Sequence, residues 1–185
     1  IVDGSSLIDH LPTRVGSVFI KPEFLQHSGS FKLRGALNFA RSLSQSQLKS
    51  GLVAFSGGNH AIAVSYVAKL LGTSAKVVMP SVASSVRVEK CRAYGAEVIL
   101  ESNRALVPER AFEIMRAERR TLVHPFDNNK TIEATAALGH EFFEQAHGLD
   151  AVLVAIGGGG LAGGVASALK QIAPQCKVIG VQARS

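Results

Sequence analysis

The sequence predicts an α/β protein in which two parallel-type sheets are flanked by helices. Three observations predict it. Short β-branched runs bounded by turn residues alternate with helical stretches along the chain. Glycines stand where several of those helices should stop. Hydrophobic residues make up 46% of the 185 residues and charged ones only 18%, as expected where strands are covered on both faces.

Taken in order, a first apolar run at 15–21 reads as a strand, and the turn at Ser28-Gly29-Ser30 leads into a helix over 31–43. Strand 52–56 runs through a Gly-Gly turn into helix 59–71, which Gly72 closes. Strand 75–79 precedes helix 84–94, closed by Gly95. Strand 97–100, helix 107–119 and strand 122–124 follow, then helix 131–146 before Gly148. Strand 151–156, a glycine loop, helix 161–172 and strand 177–182 end the chain. Strands spaced by helices of this length mean βαβ units.

Composition narrows the function. A chain this apolar, with mean hydropathy +0.21, is not disordered. The net charge of +6 comes from scattered Lys and Arg with 6% aromatics, so no nucleic-acid surface is indicated. Cys91 and Cys176 form no C-x-x-C and no disulfide framework, which fits two reduced thiols in a cytoplasmic protein. The chain opens Ile1-Val2-Asp3 with no apolar leader. Residues 151–169 carry no charge, yet six are glycine, so strand, loop and helix fit better than a membrane span.

Ligands of such sheets gather at the carboxyl ends of strands, and three turns there carry chemistry. The first is Ile156-Gly157-Gly158-Gly159-Gly160-Leu161, where backbone N–H groups can converge on a phosphate at a helix start. It also contains G-x-G-x-x-G at Gly158, Gly160 and Gly163, the dinucleotide fingerprint. That fingerprint wants an acidic residue at the end of the next strand, where Gln182 stands, so a phosphate without ribose fits better than a nicotinamide cofactor. The second is Ser56-Gly57-Gly58-Asn59-His60, a helix-opening turn with Asn59 near the N-cap. It also suits a carboxylate, with the Asn59 amide facing a ring. The third places Lys32 at a helix start between Phe31 and Leu33, where the dipole disfavours an ammonium and eases access to the neutral amine.

Ser-x-Ser-Phe-Lys-x-Arg-Gly-Ala, Ser-Gly-Gly-Asn-His and Gly-Gly-Gly-Gly-Leu, in this order, resemble the fold type II pyridoxal-phosphate enzymes. The chain is most similar to the serine/threonine dehydratase and serine racemase branch, which His124-Pro125-Phe126-Asp127 also resembles. The resemblance implies a tryptophan synthase β-like fold, with residues 1–45 and 127–185 forming part of a large cofactor domain and 46–126 a small inserted α/β domain. It implies a chain truncated at both ends, with uncovered sheet surface and hence self-association into a homo-oligomer.

The same resemblance implies residue roles. Lys32 would hold pyridoxal 5'-phosphate as an aldimine and then act as base at the substrate Cα. Phe31 would pack near the ring and Asn59 bond its hydroxyl, while Gly157, Gly158, Gly159, Gly160 and Leu161 cradle the phosphate. Ser56, Gly57, Asn59 and His60 would face the carboxylate of a small hydroxy amino acid. The implied reaction is α,β-elimination from L-serine or L-threonine, giving a 2-oxo acid and ammonia. Racemases of the branch carry a serine where Gly57 stands, so elimination is expected over racemisation. Metal-binding members carry Glu at the Gln182 position, so no metal site is expected. A catalytically inactive phosphate-binding fragment is the rival reading.

Overall fold

A computed structural model of the chain describes residues 1–4, 6 and 16–184. Eight strands run β1 (Val2–Asp3), β2 (Phe19–Ile20), β3 (Leu52–Phe55), β4 (Ala75–Pro80), β5 (Glu97–Glu101), β6 (Thr121–Leu122), β7 (Ala151–Ala155) and β8 (Lys177–Val181) among the described residues. The helices are α1 (Lys32–Arg41), α2 (Gln45–Ser50), α3 (Asn59–Leu71), α4 (Ser85–Ala93), α5 (Val107–Glu118), α6 (Asn129–Gln145) and α7 (Gly160–Ile172).

A four-stranded parallel sheet has the order β5-β4-β3-β6, and β7 and β8 form a second parallel sheet. Alternation explains the first. Leu52 and Ala54 of β3, with Ala75, Val77 and Met79 of β4, join the cluster beneath α1, α3 and α4. Val53 and Val78 point the other way, onto Val107, Ala111 and Ile114 of α5. With both faces covered, the strands carry the near-continuous apolar runs seen in the sequence.

The second sheet is covered on one face. Val152 and Val154 pack with Leu138, Val165 and Leu169 of α6 and α7, while Leu153 (69% exposed), Ile179 and Val181 face outward. The two helices cross closely because glycine is at the contact. A Cβ on Gly139 would stand 2.7 Å from Ala168 Cβ, and one on Gly164 would stand 2.8 Å from the Ala136 nitrogen.

The expected α/β class and alternation hold, with corrections at element ends. Residue 15 lies outside the described residues, and the rest of the expected strand 15–21 contributes only Phe19–Ile20, paired antiparallel with Val2–Asp3. The last strand of the larger sheet is Thr121–Leu122 rather than 122–124. Val123 N still donates to Val53 O at 2.9 Å, and His124 then turns out to cap the next segment. Helix α2 was not expected, since six residues make no apolar stripe. Its signal is the capping box, in which Gln47 N donates to Ser44 Oγ (3.3 Å) and Ser44 N to Gln47 Oε1 (2.9 Å). No helix among the described residues is long and apolar enough to cross a membrane.

Candidate active site

Lys32 is the first residue of α1, with Phe31 at the N-cap. A turn through Gly29, at φ +83°, aims the chain into the helix. The side chain is half-buried, and Nζ donates to the Pro125 carbonyl and lies 5.1 Å from the Phe31 ring centroid. Burial pushes the amine below the ordinary lysine pKa, because desolvation disfavours the ammonium. The neutral amine that helix position predicted is therefore favoured by burial as well.

Two histidines stand near this amine. His60 is 3% exposed and donates Nε2–H to the Val123 carbonyl at 2.8 Å. Burial brings its pKa down to about 4, the Lys32 and His124 charges add to the fall, and the Val123 bond opposes it. His60 is thus a neutral imidazole at physiological pH. His124 Nδ1 accepts the N–H of Asp127 at 2.8 Å and of Phe126 at 3.4 Å. Burial lowers its pKa first and Lys32 further, against the carboxylate of Asp127. Its ring meets Phe55 and Phe126 edge-on, with centroids 5.5 Å and 4.8 Å apart.

The glycine loop leaves β7 after Ile156, whose N–H is bonded to Val181 O at 2.8 Å. Gly157, Gly158 and Gly159 are exposed, and Gly159 caps the thirteen-residue α7 at φ +85°. Thr135 Oγ1 lies 2.9 Å from the Gly160 carbonyl oxygen and ties the loop to α6.

The fold brings some of the expected site residues together and separates others. Phe31, Lys32, His60, Gly160 and Leu161 surround one cavity with Phe126, and its volume is about 10 Å³, room for roughly one water. Ser56 and Gly57 line a different cavity of about 480 Å³. Asn59, the first residue of α3, is exposed and lines neither. Ser56 Oγ accepts the Gly58 N–H at 3.1 Å, which shapes the turn itself. The residues that sequence reasoning left without a role are His124, Phe126 and Thr131. The first two stood in a noticed motif, whereas nothing local marks Thr131.

The donor set suits a phosphorylated aldehyde. No described residue stands within 4 Å of a Cβ placed on Gly157 or Gly159, so the backbone is approachable at those two positions, while Phe126 packs on Gly158 and Gly160. Ser30 Oγ and Thr131 Oγ1 are buried without a partner among the described residues, and such groups cost roughly 1–3 kcal/mol unless a polar ligand or water meets them. An amine able to lose its proton lies on the same cavity as Thr131.

A family model described as pyridoxal-phosphate dependent enzyme matches residues 5–185. The chain belongs to that pyridoxal-phosphate dependent family. It is 49% identical over 174 residues to phenylserine dehydratase of Ralstonia pickettii, covering 94% of this chain and 53% of that protein. It is 40% identical over 169 residues to serine racemase of Schizosaccharomyces pombe, covering 91% and 52%. Among solved structures, the processed threonine deaminase isoform 2 of Solanum lycopersicum superposes with a TM-score of 0.83 at 37% identity, over 88% of this chain and 45% of that one. The chain thus spans about half the length of the curated relatives it matches. The family's cofactor is pyridoxal 5'-phosphate.

Proposed function

We propose that this chain carries the cofactor lysine of a pyridoxal-phosphate ammonia-lyase acting on 3-hydroxy amino acids of the L-serine and L-threonine type. The observation that carries it is the half-buried Lys32 amine, lowered in pKa, on a cavity bounded by Gly160 and Leu161. Gly157, Gly158, Gly159, Gly160 and Leu161 would hold the cofactor phosphate on backbone N–H groups, Phe31 would pack on the ring and Asn59 would bond its hydroxyl. When bound, the cofactor supplies an electron sink for the Cα carbanion.

The chain's own residues do the rest. Lys32 Nζ would hold the cofactor, and its amine would move the proton at the substrate Cα. On the resemblance, Ser56, Gly57, Asn59 and neutral His60 would orient the carboxylate; of these His60 lines the Lys32 cavity, and Ser56 and Gly57 line the other one. The proton that Lys32 Nζ takes from Cα would pass to the departing β-hydroxyl, and with one water lost and one regained a hydroxy amino acid would give a 2-oxo acid and ammonia, a redox-neutral change. Gly57 has no side chain to return a proton to the opposite face, which favours elimination over racemisation. The similarity to serine racemase keeps that second reading in play, and chiral analysis of L-serine reactions separates the two. D-serine formed as fast as pyruvate would overturn elimination as the main reaction.

Borohydride reduction of the protein mixed with pyridoxal 5'-phosphate, followed by peptide mapping, tests the cofactor role. Label on Lys32 and 2-oxo acid release from L-threonine are expected. Label without turnover would leave a binding fragment, and no label on a folded chain would remove the proposal.

A further inference from the structure

The 480 Å³ cavity on the Ser56–Gly57 turn holds more chemistry than the proposed reaction uses. It opens beyond the carboxyl ends of β3 and β4, where ligands of parallel sheets bind. Phe55, Val82 and Val107 make its apolar wall, and Arg87 and Arg104 are the two charged residues that line it. No Asp or Glu among the described residues lines it.

Arg92, Arg110 and Arg120 each meet a glutamate at 2.7 Å. Arg87 and Arg104 meet none among the described residues, and the contact of Arg87 Nη1 with the Gly57 carbonyl is long, at 3.5 Å. The Arg87 head lies over the turn, for a Cβ on Gly58 would be 3.0 Å from Nη1. Two guanidinium groups without acidic partners suit a carboxylate, which they can bind bidentately. The lack of any lining acid leaves the ammonium of an amino acid facing like charge. The fitting ligand is an organic monoanion with a short apolar tail and no amine.

We propose that this cavity binds 2-oxo acids, with the carboxylate on Arg87 and Arg104 and the tail on Phe55 and Val107. The ligand's identity rests on the ammonia-lyase reading, whose product is such an acid. Because Ser56 and Gly57 belong both to this wall and to the proposed substrate turn, an acid held here acts on the turn that receives the next substrate.

Titration calorimetry of the purified chain with 2-oxobutyrate tests the proposal. Wild type and Lys32→Ala are expected to bind it within twofold of each other. The exposed pair Arg87→Gln with Arg104→Gln should weaken it at least about tenfold while circular dichroism stays unchanged. L-2-Aminobutyrate should not bind Lys32→Ala measurably. Loss of 2-oxobutyrate binding in Lys32→Ala, undiminished binding in the double arginine variant, or equal affinity for inorganic phosphate or L-2-aminobutyrate would each overturn it. No 2-oxobutyrate binding to wild type would also overturn it. If Lys32 still takes the borohydride label, the cofactor reading survives that failure.

Discussion

Phe126 lies against Gly158 so closely that a Cβ on the glycine would come within 2.5 Å of Phe126 Cδ2. The aromatic that follows Pro125 therefore packs on the glycine loop, while the Pro125 carbonyl accepts the Lys32 amine. One dipeptide touches both the lysine and the loop. Gly158 is glycine here because of a neighbour 32 positions away in sequence, since its own φ is not in the left-handed region.

Gly158→Ala should displace Phe126 and destabilise the chain by about 1–3 kcal/mol, the usual range for overpacking. Most of that loss should vanish when Phe126→Ala is already present. Urea denaturation of the two single variants and the double variant measures the coupling, and additive losses would show that the ring does not bear on the loop.

Burial of Lys32 sets a pH dependence for cofactor attachment. The amine's pKa is below the ordinary lysine value, so its neutral fraction at a given pH exceeds that of a free lysine. Imine formation with pyridoxal 5'-phosphate should therefore reach half its limiting rate below pH 10.5. Stopped-flow absorbance across pH reads this, with N-acetyl-lysine amide as the reference.

His60 makes stability fall in mild acid. Its folded pKa, about 4, lies below the ordinary histidine value of 6.5, so the unfolded chain binds the proton first. The contribution is complete above pH 6.5 and is lost as pH falls towards 4. The loss is on the order of 2–3 kcal/mol. Denaturant midpoints from pH 7 to 4 would show it, and His60→Gln, which keeps an N–H for the Val123 carbonyl, should flatten the curve.

Arg34 clamps the helix that begins at Lys32. Its Nε and Nη2 donate to Glu23 at 2.8 and 2.9 Å, and Nη1 and Nη2 donate to Glu141 at 2.7 and 2.9 Å. The guanidinium is held above its usual pKa, first by the Glu23 hydrogen bonds. Replacing it with Ala leaves the shielded Glu23 carboxylate without a cation among the described residues, while Glu141 keeps its contact with Lys21, a loss of about 1–3 kcal/mol after discounting for solvent. Thermal denaturation checks it, and Arg34→Lys should recover only part because an ammonium cannot serve both carboxylates with paired bonds.

Features written in local sequence were legible. Helix α3 runs over Asn59–Leu71, the expected span, because glycines stand at both ends and Gly72 takes the left-handed cap at φ +66°. The glycine loop and its helix were equally plain, since four consecutive glycines leave no other reading of an uncharged stretch. Helix α2 escaped because its only signal is a capping box, and the β1–β2 pair because two residues carry no period.

Alone, the sequence determined the α/β class, the order of nearly every element, and the residue types able to hold a phosphate, an amine and a carboxylate. Those depend on contacts within a few residues, and periodicity and glycine placement record them. Tertiary structure decided which of these residues meet. Parallel pairing of β3 with β6 brings Val123 to His60 and places His124 near Lys32. The same turn sends Ser56 and Gly57 to a cavity lined by Arg87 and Arg104, while His60 lines the one at Lys32. Such meetings are set by strand order and by the burial that follows it, and burial is what neutralises His60 and lowers the lysine.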